Sequence, residues 1–142
     1  MRLSFGTVCG YTPFDGAEYD YYTTTKGILE KVKTHAGDVD FEVQPELLSL
    51  LSSGDFGRYA DEKGEMNVCF ISNNDITGGN SGSAMFNAKG ELIGTGFDRN
   101  YEGLTGDIAF RPSSQRAACV DIRLHLVHHR QIRGTLRISL KR

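Results

Sequence analysis

No stretch of this chain approaches the roughly 20 consecutive apolar residues of a membrane-crossing helix, so no span is expected. The opening Met-Arg-Leu-Ser-Phe-Gly holds no hydrophobic segment of signal-peptide length. Cysteine is scarce: the three residues at 9, 69 and 119 have no CxxC spacing. That spacing argues against a metal site and leaves two readings open, buried small hydrophobes or one disulfide plus a free thiol. Acid is missing altogether from the last 19 residues, which carry five Lys/Arg and three of the four histidines. The 18 acidic residues all precede position 124, so a net charge of −2 conceals an acidic body and a basic tail. The tail lacks the interleaved aromatics of a nucleic-acid arm, and no nucleic-acid partner is expected.

What the chain does have is glycine, 17 in 142 residues, beside 39% hydrophobic residues, a composition suited to one turn-rich, mainly β domain. Strands are expected over residues 2–11, 67–72, 83–87, 91–97, 108–110 and 117–122. Two short helices are expected, one through residues 27–32 after the threonines at 23–25, the other over 46–51 after Pro45. Residues 55–65 read as a charged surface loop.

The densest local signal is Gly-Gly-Asn-Ser-Gly-Ser at 78–83. Gly78 and Gly79 permit backbone turns that a Cβ would obstruct, so the N–H groups of Gly79 and Ser81 can converge on one oxygen. That is oxyanion-hole chemistry, with Ser81 as the nucleophile. Such clusters also occur in ordinary turns. Here, however, a β-rich run enters the loop and a strand, a turn at 87–90 and a further strand leave it. A phosphate-cradling loop needs lysine directly before its last Ser/Thr, and there is none.

Longer motifs carry a family resemblance. Asp-Phe-Gly-Arg-Tyr-Ala-Asp at 55–61, Asn-Asp-Ile-Thr-Gly-Gly-Asn-Ser-Gly-Ser at 74–83, Gly-Glu-Leu-Ile-Gly at 90–94, Phe-Asp-Arg-Asn at 97–100 and Val-Asp-Ile-Arg at 120–123 together resemble the bacterial chymotrypsin-like dipeptidyl-peptidases. The resemblance implies a serine exopeptidase that removes dipeptides from the free amino end of peptides, in the periplasm or at the bacterial cell surface. It implies no metal or organic cofactor and allows a homodimer of the full-length enzyme. Residues 1–123 would supply the C-terminal barrel of a double β-barrel, with Ser81 as nucleophile and the Gly79 and Ser81 amides as oxyanion hole. Arg99 resembles the arginine of the Asp/Glu-specific branch, and a permanently charged guanidinium suits a carboxylate. Gly94 and Gly96 would let substrate backbone approach the pocket wall. The rival readings are a peptide-binding or interaction module without chemistry and a glutamyl-endopeptidase-like protease, whose Gly-Asn-Ser-Gly-Ser is similar.

A serine nucleophile needs a histidine held by a carboxylate. His35, with Asp38 and Asp40, imitates that order but sits in a polar loop and matches no histidine motif of the family. The expectation is that Met1 is an internal methionine of a longer enzyme and that this chain alone is inactive. Residues 124–142 are expected to be out of frame. One permitted codon choice for 124–133, read from its second base, encodes Tyr-Ile-Leu-Phe-Ile-Ile-Asp-Lys-Phe, similar to the family's apolar continuation.

Overall fold

The computed structural model describes residues 3–129. They divide into two compact units, one built from residues up to 23 together with 68–122, the other from 24–67 together with the segment from 123. Residues 24–67 fall in the second, so the stretch 1–123 read from sequence as one barrel contributes to both. Residues 130–142, most of the basic tail, lie outside the described residues.

The first unit is a five-stranded sheet in the order β1-β2-β5-β4-β3, and with the short helices it bears out the mainly β expectation. Its strands are β1 (Tyr22–Thr24), β2 (Asn67–Ser72), β3 (Ser83–Phe86), β4 (Leu92–Arg99) and β5 (Ala117–Asp121). β2 and β5 alternate strictly between buried and half-buried residues, the period-two pattern of strands with one face on a core. They pair antiparallel with Phe70 opposite Cys119, and these two side chains join Ile76 and Ala117 in the sheet core. β4 lies antiparallel between β5 and β3. Gly94 is required there, because a Cβ would meet the Val120 carbonyl and sit 2.7 Å from the Phe70 ring. The β4–β5 register slips between Gly96 and Asp98, which leaves Phe97 as a bulge residue that bends the strand just before Arg99.

The second unit packs α1 (Thr25–Thr34) and α2 (Pro45–Ser53) around Leu51, Phe56, Met66 and Val127. Pro45 sits in the first turn of α2, where its missing N–H costs nothing, and Gly54 closes the helix at φ 67°. Lys31 and Lys33 in the last turn of α1 complement the helix dipole. A third helix, α3 (Ile122–Val127), runs into the start of the basic tail, and its Val127 is fully buried.

Three expectations at the level of elements are corrected. Residues 3–11 form only isolated bridges, Val8 to Ser72 and Tyr11 to Tyr19, because part of the backbone pairing goes to a side chain: Thr7 N–H donates to Asn73 Oδ1 at 2.6 Å. Residues 108–110 form no strand, since the N–H groups of Ile108 and Ala109 both turn back to the Thr105 carbonyl. The 55–65 segment is not simply a surface loop: Phe56 is buried, and Tyr59 and Ala60 pack on the same core.

Candidate active site

The loop between β2 and β3 is shaped by the side chain of Asn80. Its Oδ1 accepts from the Thr77 N–H at 2.9 Å and from the Thr77 hydroxyl at 3.2 Å, while the Asn80 N–H donates to the Thr77 carbonyl at 3.1 Å. This closed turn forces positive φ on both sides of Ser81, +90° at Gly79 and +86° at Gly82, where a Cβ is disfavoured. Buried Ile76 anchors the loop to the sheet core. Further on, the Gly82 N–H donates to the Gly96 carbonyl at 2.8 Å and the Ser83 N–H to the Asn80 carbonyl at 2.9 Å. The N–H groups of Gly79 and Ser81 take no part in this network.

Ser81 is exposed, and its hydroxyl donates to the Phe97 carbonyl at 3.2 Å. The bulge at Phe97 aims that carbonyl out of the ladder and toward the loop. Two residues later the same bulged strand delivers Arg99. Ser81 and Arg99 therefore line one open cavity of about 120 Å³, together with Ile76, Thr77, Gly78, Phe97 and Asp98.

Arg99 is engaged from its other side. Its Nη1 and Nη2 donate to the two carboxylate oxygens of Asp107 at 3.0 and 2.7 Å, a two-point ion pair. This hydrogen bonding holds the Asp107 carboxyl below its usual range and strengthens the guanidinium's hold on its proton, to which Asp98 and Asp75 add by charge. Asn100 fixes the turn that follows. It receives the Arg116 N–H on Oδ1 at 2.7 Å and donates from Nδ2 to the Ser114 carbonyl and to Glu102. Arg116 is itself buried and donates to the carbonyls of Cys9, Gly10, Pro112, Ser113 and Gln115, which ties the 111–116 loop to the first strand-like segment.

Gly94 and Gly96, expected in the wall of the specificity pocket, do not line the cavity shared by Ser81 and Arg99. Gly94 faces Phe70 and the Val120 carbonyl. Gly96 lines a separate cavity of about 130 Å³ with Leu3, Asn80, Ser83 and Met85, and its carbonyl secures the loop through Gly82. Asp107, Asn80 and Asn100 escaped the sequence reading because Asn and Asp in loops are common, and only the fold shows which of them reach a functional neighbour.

No histidine occurs among the residues of the unit that carries Ser81. His35 lies in the other unit, at the end of α1, stacked on Phe41 at 4.1 Å with Nδ1 hydrogen-bonded to the Thr34 hydroxyl and the Lys31 carbonyl. Among the described residues, no group of three or more His, Cys, Asp or Glu side chains is placed to hold a metal ion, and no helix is long and apolar enough to cross a membrane.

The model of the family described as peptidase S46 matches residues 1–138. The chain belongs to the peptidase S46 family. Among S46 relatives it is 54% identical over 123 residues to dipeptidyl-peptidase 7 of Porphyromonas endodontalis, covering 87% of this chain and 15% of the relative. It is 44% identical over 138 residues to the Asp/Glu-specific dipeptidyl-peptidase of Porphyromonas gingivalis, covering 97% of this chain and 19% of that protein. The chain thus spans less than a fifth of the length of these curated relatives. Among solved structures, Porphyromonas endodontalis DPP11 in complex with substrate superimposes with a TM-score of 0.87 at 40% identity, over 92% of this chain and 19% of the other. The same S46 protein in complex with the dipeptide Arg-Glu gives 0.86 at 40% identity, over 92% of this chain and 18% of the other.

Proposed function

We propose that this S46 chain carries the nucleophile and the side-chain receptor of a serine dipeptidyl-peptidase that releases dipeptides from free amino ends, with Asp or Glu before the scissile bond. The observation that carries the reading is the cavity shared by Ser81 and Arg99. An acidic side chain seated against Arg99 puts the following carbonyl within reach of the Ser81 hydroxyl. The hydroxyl leaves Phe97, passes its proton to a base supplied from outside residues 3–23 and 68–122, and attacks. The developing oxyanion is received by the N–H groups of Gly79 and Ser81, which the loop's own network leaves unused. The amine departs with the proton returned by that base, and water, activated by the same base, then releases the dipeptide from Ser81.

The acid preference rests on Arg99 rather than on overall identity. The dipeptidyl-peptidase 7 relatives are more alike than the Asp/Glu-specific ones, 54% against 44%, but identity over a whole domain mostly counts scaffold. DPP11 was solved with Arg-Glu and with Arg-Asp, dipeptides whose second residue is acidic.

The test is dipeptide release by the full-length protein bearing these residues, from Xaa-Glu and Xaa-Gln substrates with free and acetylated amino ends. Preference for free-amine Xaa-Glu, abolished by Ser81→Ala, is the expected result. Activity that survives Ser81→Ala, or that tolerates the acetyl group, rejects it. Cell fractionation and sedimentation of the same protein test the periplasmic or surface location and the homodimer that the resemblance implies. Sequencing the DNA across codon 123 tests the proposed change of frame.

A further inference from the structure

We propose that Asp107 is a specificity-determining residue, an internal carboxylate that occupies Arg99 until an acidic side chain displaces it. The inference rests on the reading of Arg99 as the acid receptor. Asp107 grips both ends of the guanidinium, with contacts of 3.0 and 2.7 Å, in the two-point geometry that a ligand Glu or Asp would use. The partners differ in burial: the Arg99 side chain is 16% exposed, its partner 55%. Arg99 is therefore the fixed party and Asp107 the exchangeable one. Asp107 belongs to the loop between the short turn Tyr101–Gly103 and β5, held near Asp107 by the Gly106, Ile108 and Ala109 N–H groups and by no strand pairing. It does not line the cavity that Arg99 and Ser81 share, so its withdrawal leaves that space open to a ligand.

Charge gives the contact its effect. Arg99 is faced by three carboxylates of its own chain, Asp107 in contact with Asp98 and Asp75 beyond it. Paired with Asp107, the guanidinium is already neutralised, which leaves little long-range attraction for passing anions. A ligand carboxylate gains Arg99 only by taking over the fork, one ion pair replacing another. A neutral amide cannot make that exchange on equal terms, because its oxygen competes with a full negative charge.

Calorimetric titration of the 142-residue chain with Arg-Glu and Arg-Gln tests this; both probes carry the same terminal groups, so they differ only in the side-chain charge. Wild type is expected to prefer Arg-Glu. Asp107→Asn should tighten Arg-Glu about two- to fivefold, the scale of one exposed ion pair. The gain should vanish when Asp107→Asn is combined with Arg99→Met, which a merely structural effect of Asp107 would not do. Asp107→Ser, too short to reach the guanidinium, should behave as the Asn variant does and guards against a folding artefact. If wild type prefers Arg-Glu, and Arg99→Met removes the preference, but neither Asp107 variant tightens binding, the inference falls while the role of Arg99 stands. If wild type shows no preference, or Arg99→Met leaves it intact, the reading of Arg99 falls and the inference with it.

Discussion

The Ser81 hydroxyl donates to the Phe97 carbonyl at 3.2 Å. A carbonyl can hold the serine's proton but cannot remove it, and the unit carrying Ser81 contains no histidine. Incubated with a fluorophosphonate, the 142-residue chain should acquire no adduct on Ser81 over hours. Stoichiometric labelling at Ser81, read by peptide mass, would show that a base reaches it after all. Ser81→Ala should change thermal stability by under about 1 kcal/mol, since the hydroxyl is exposed and its bond to Phe97 is readily replaced by water.

Gly82 and Gly94 are expected to resist substitution for different reasons. Gly82→Ala places a Cβ at φ +86° in open space and should cost about 1–2 kcal/mol, the penalty of a left-handed residue. Gly94→Ala drives a Cβ into the Val120 carbonyl, which is backbone and cannot rotate away, and should cost about 3 kcal/mol or more. Denaturant midpoints measure both. Equal losses would contradict the distinction between conformational and steric cause.

Asp61 should shape the acid limb of the stability curve. Its carboxylate accepts the N–H groups of Lys63 and Glu65, each at 2.8 Å, and the Glu65 bond chiefly lowers its pKa. A carboxyl whose folded pKa lies below its unfolded value, about 3.9, contributes stability that is present above that value and lost as pH falls through the folded pKa. Asp107, lowered by Arg99, acts in the same direction. Asp61→Asn should flatten the decline in urea midpoint below about pH 4. An unchanged slope would reject the assignment.

Cys119 gives the opposite sign at the alkaline end. Burial pushes its thiol from 9.0 up to about 11, with the neighbouring Cys69 adding to the shift. The neutral thiol favours the folded state, so its contribution is fully present below the unfolded value and is lost as pH rises through about 11. In native protein at neutral pH, Cys119 should escape alkylation until the chain unfolds; rapid modification measured by mass spectrometry would contradict its burial.

Where an element rests on local pattern, sequence and structure agree closely. The Asn-Val-Cys-Phe-Ile-Ser strand and the Pro45 start of α2 depend on side-chain alternation or on a residue with a restricted backbone angle. Agreement fails where backbone donors are captured by a single distant or looping partner. Asn73 does this to the segment around Thr7, and Thr105 does it to Ile108 and Ala109. Phe56 shows a third kind of miss, an apolar residue in a charged stretch that becomes core because Leu51 and Met66 lie beside it.

For the candidate site, the sequence by itself determined the loop around Ser81, since Gly79 and Gly82 supply the two positive φ angles that a Cβ disfavours. It also supplied a charged residue at Arg99. Only the tertiary structure decided that Phe97 bulges out of the β4–β5 ladder, that this bulge brings Ser81 and Arg99 to one cavity, and that Gly94 packs on Phe70 while Gly96 lines a separate cavity. The pairing of Arg99 with Asp107 was likewise beyond reach, although only eight residues separate them. Loop backbones have no fixed period, so the direction of a side chain is set by the surfaces against which the loop folds, and those surfaces exist only once the sheet has formed.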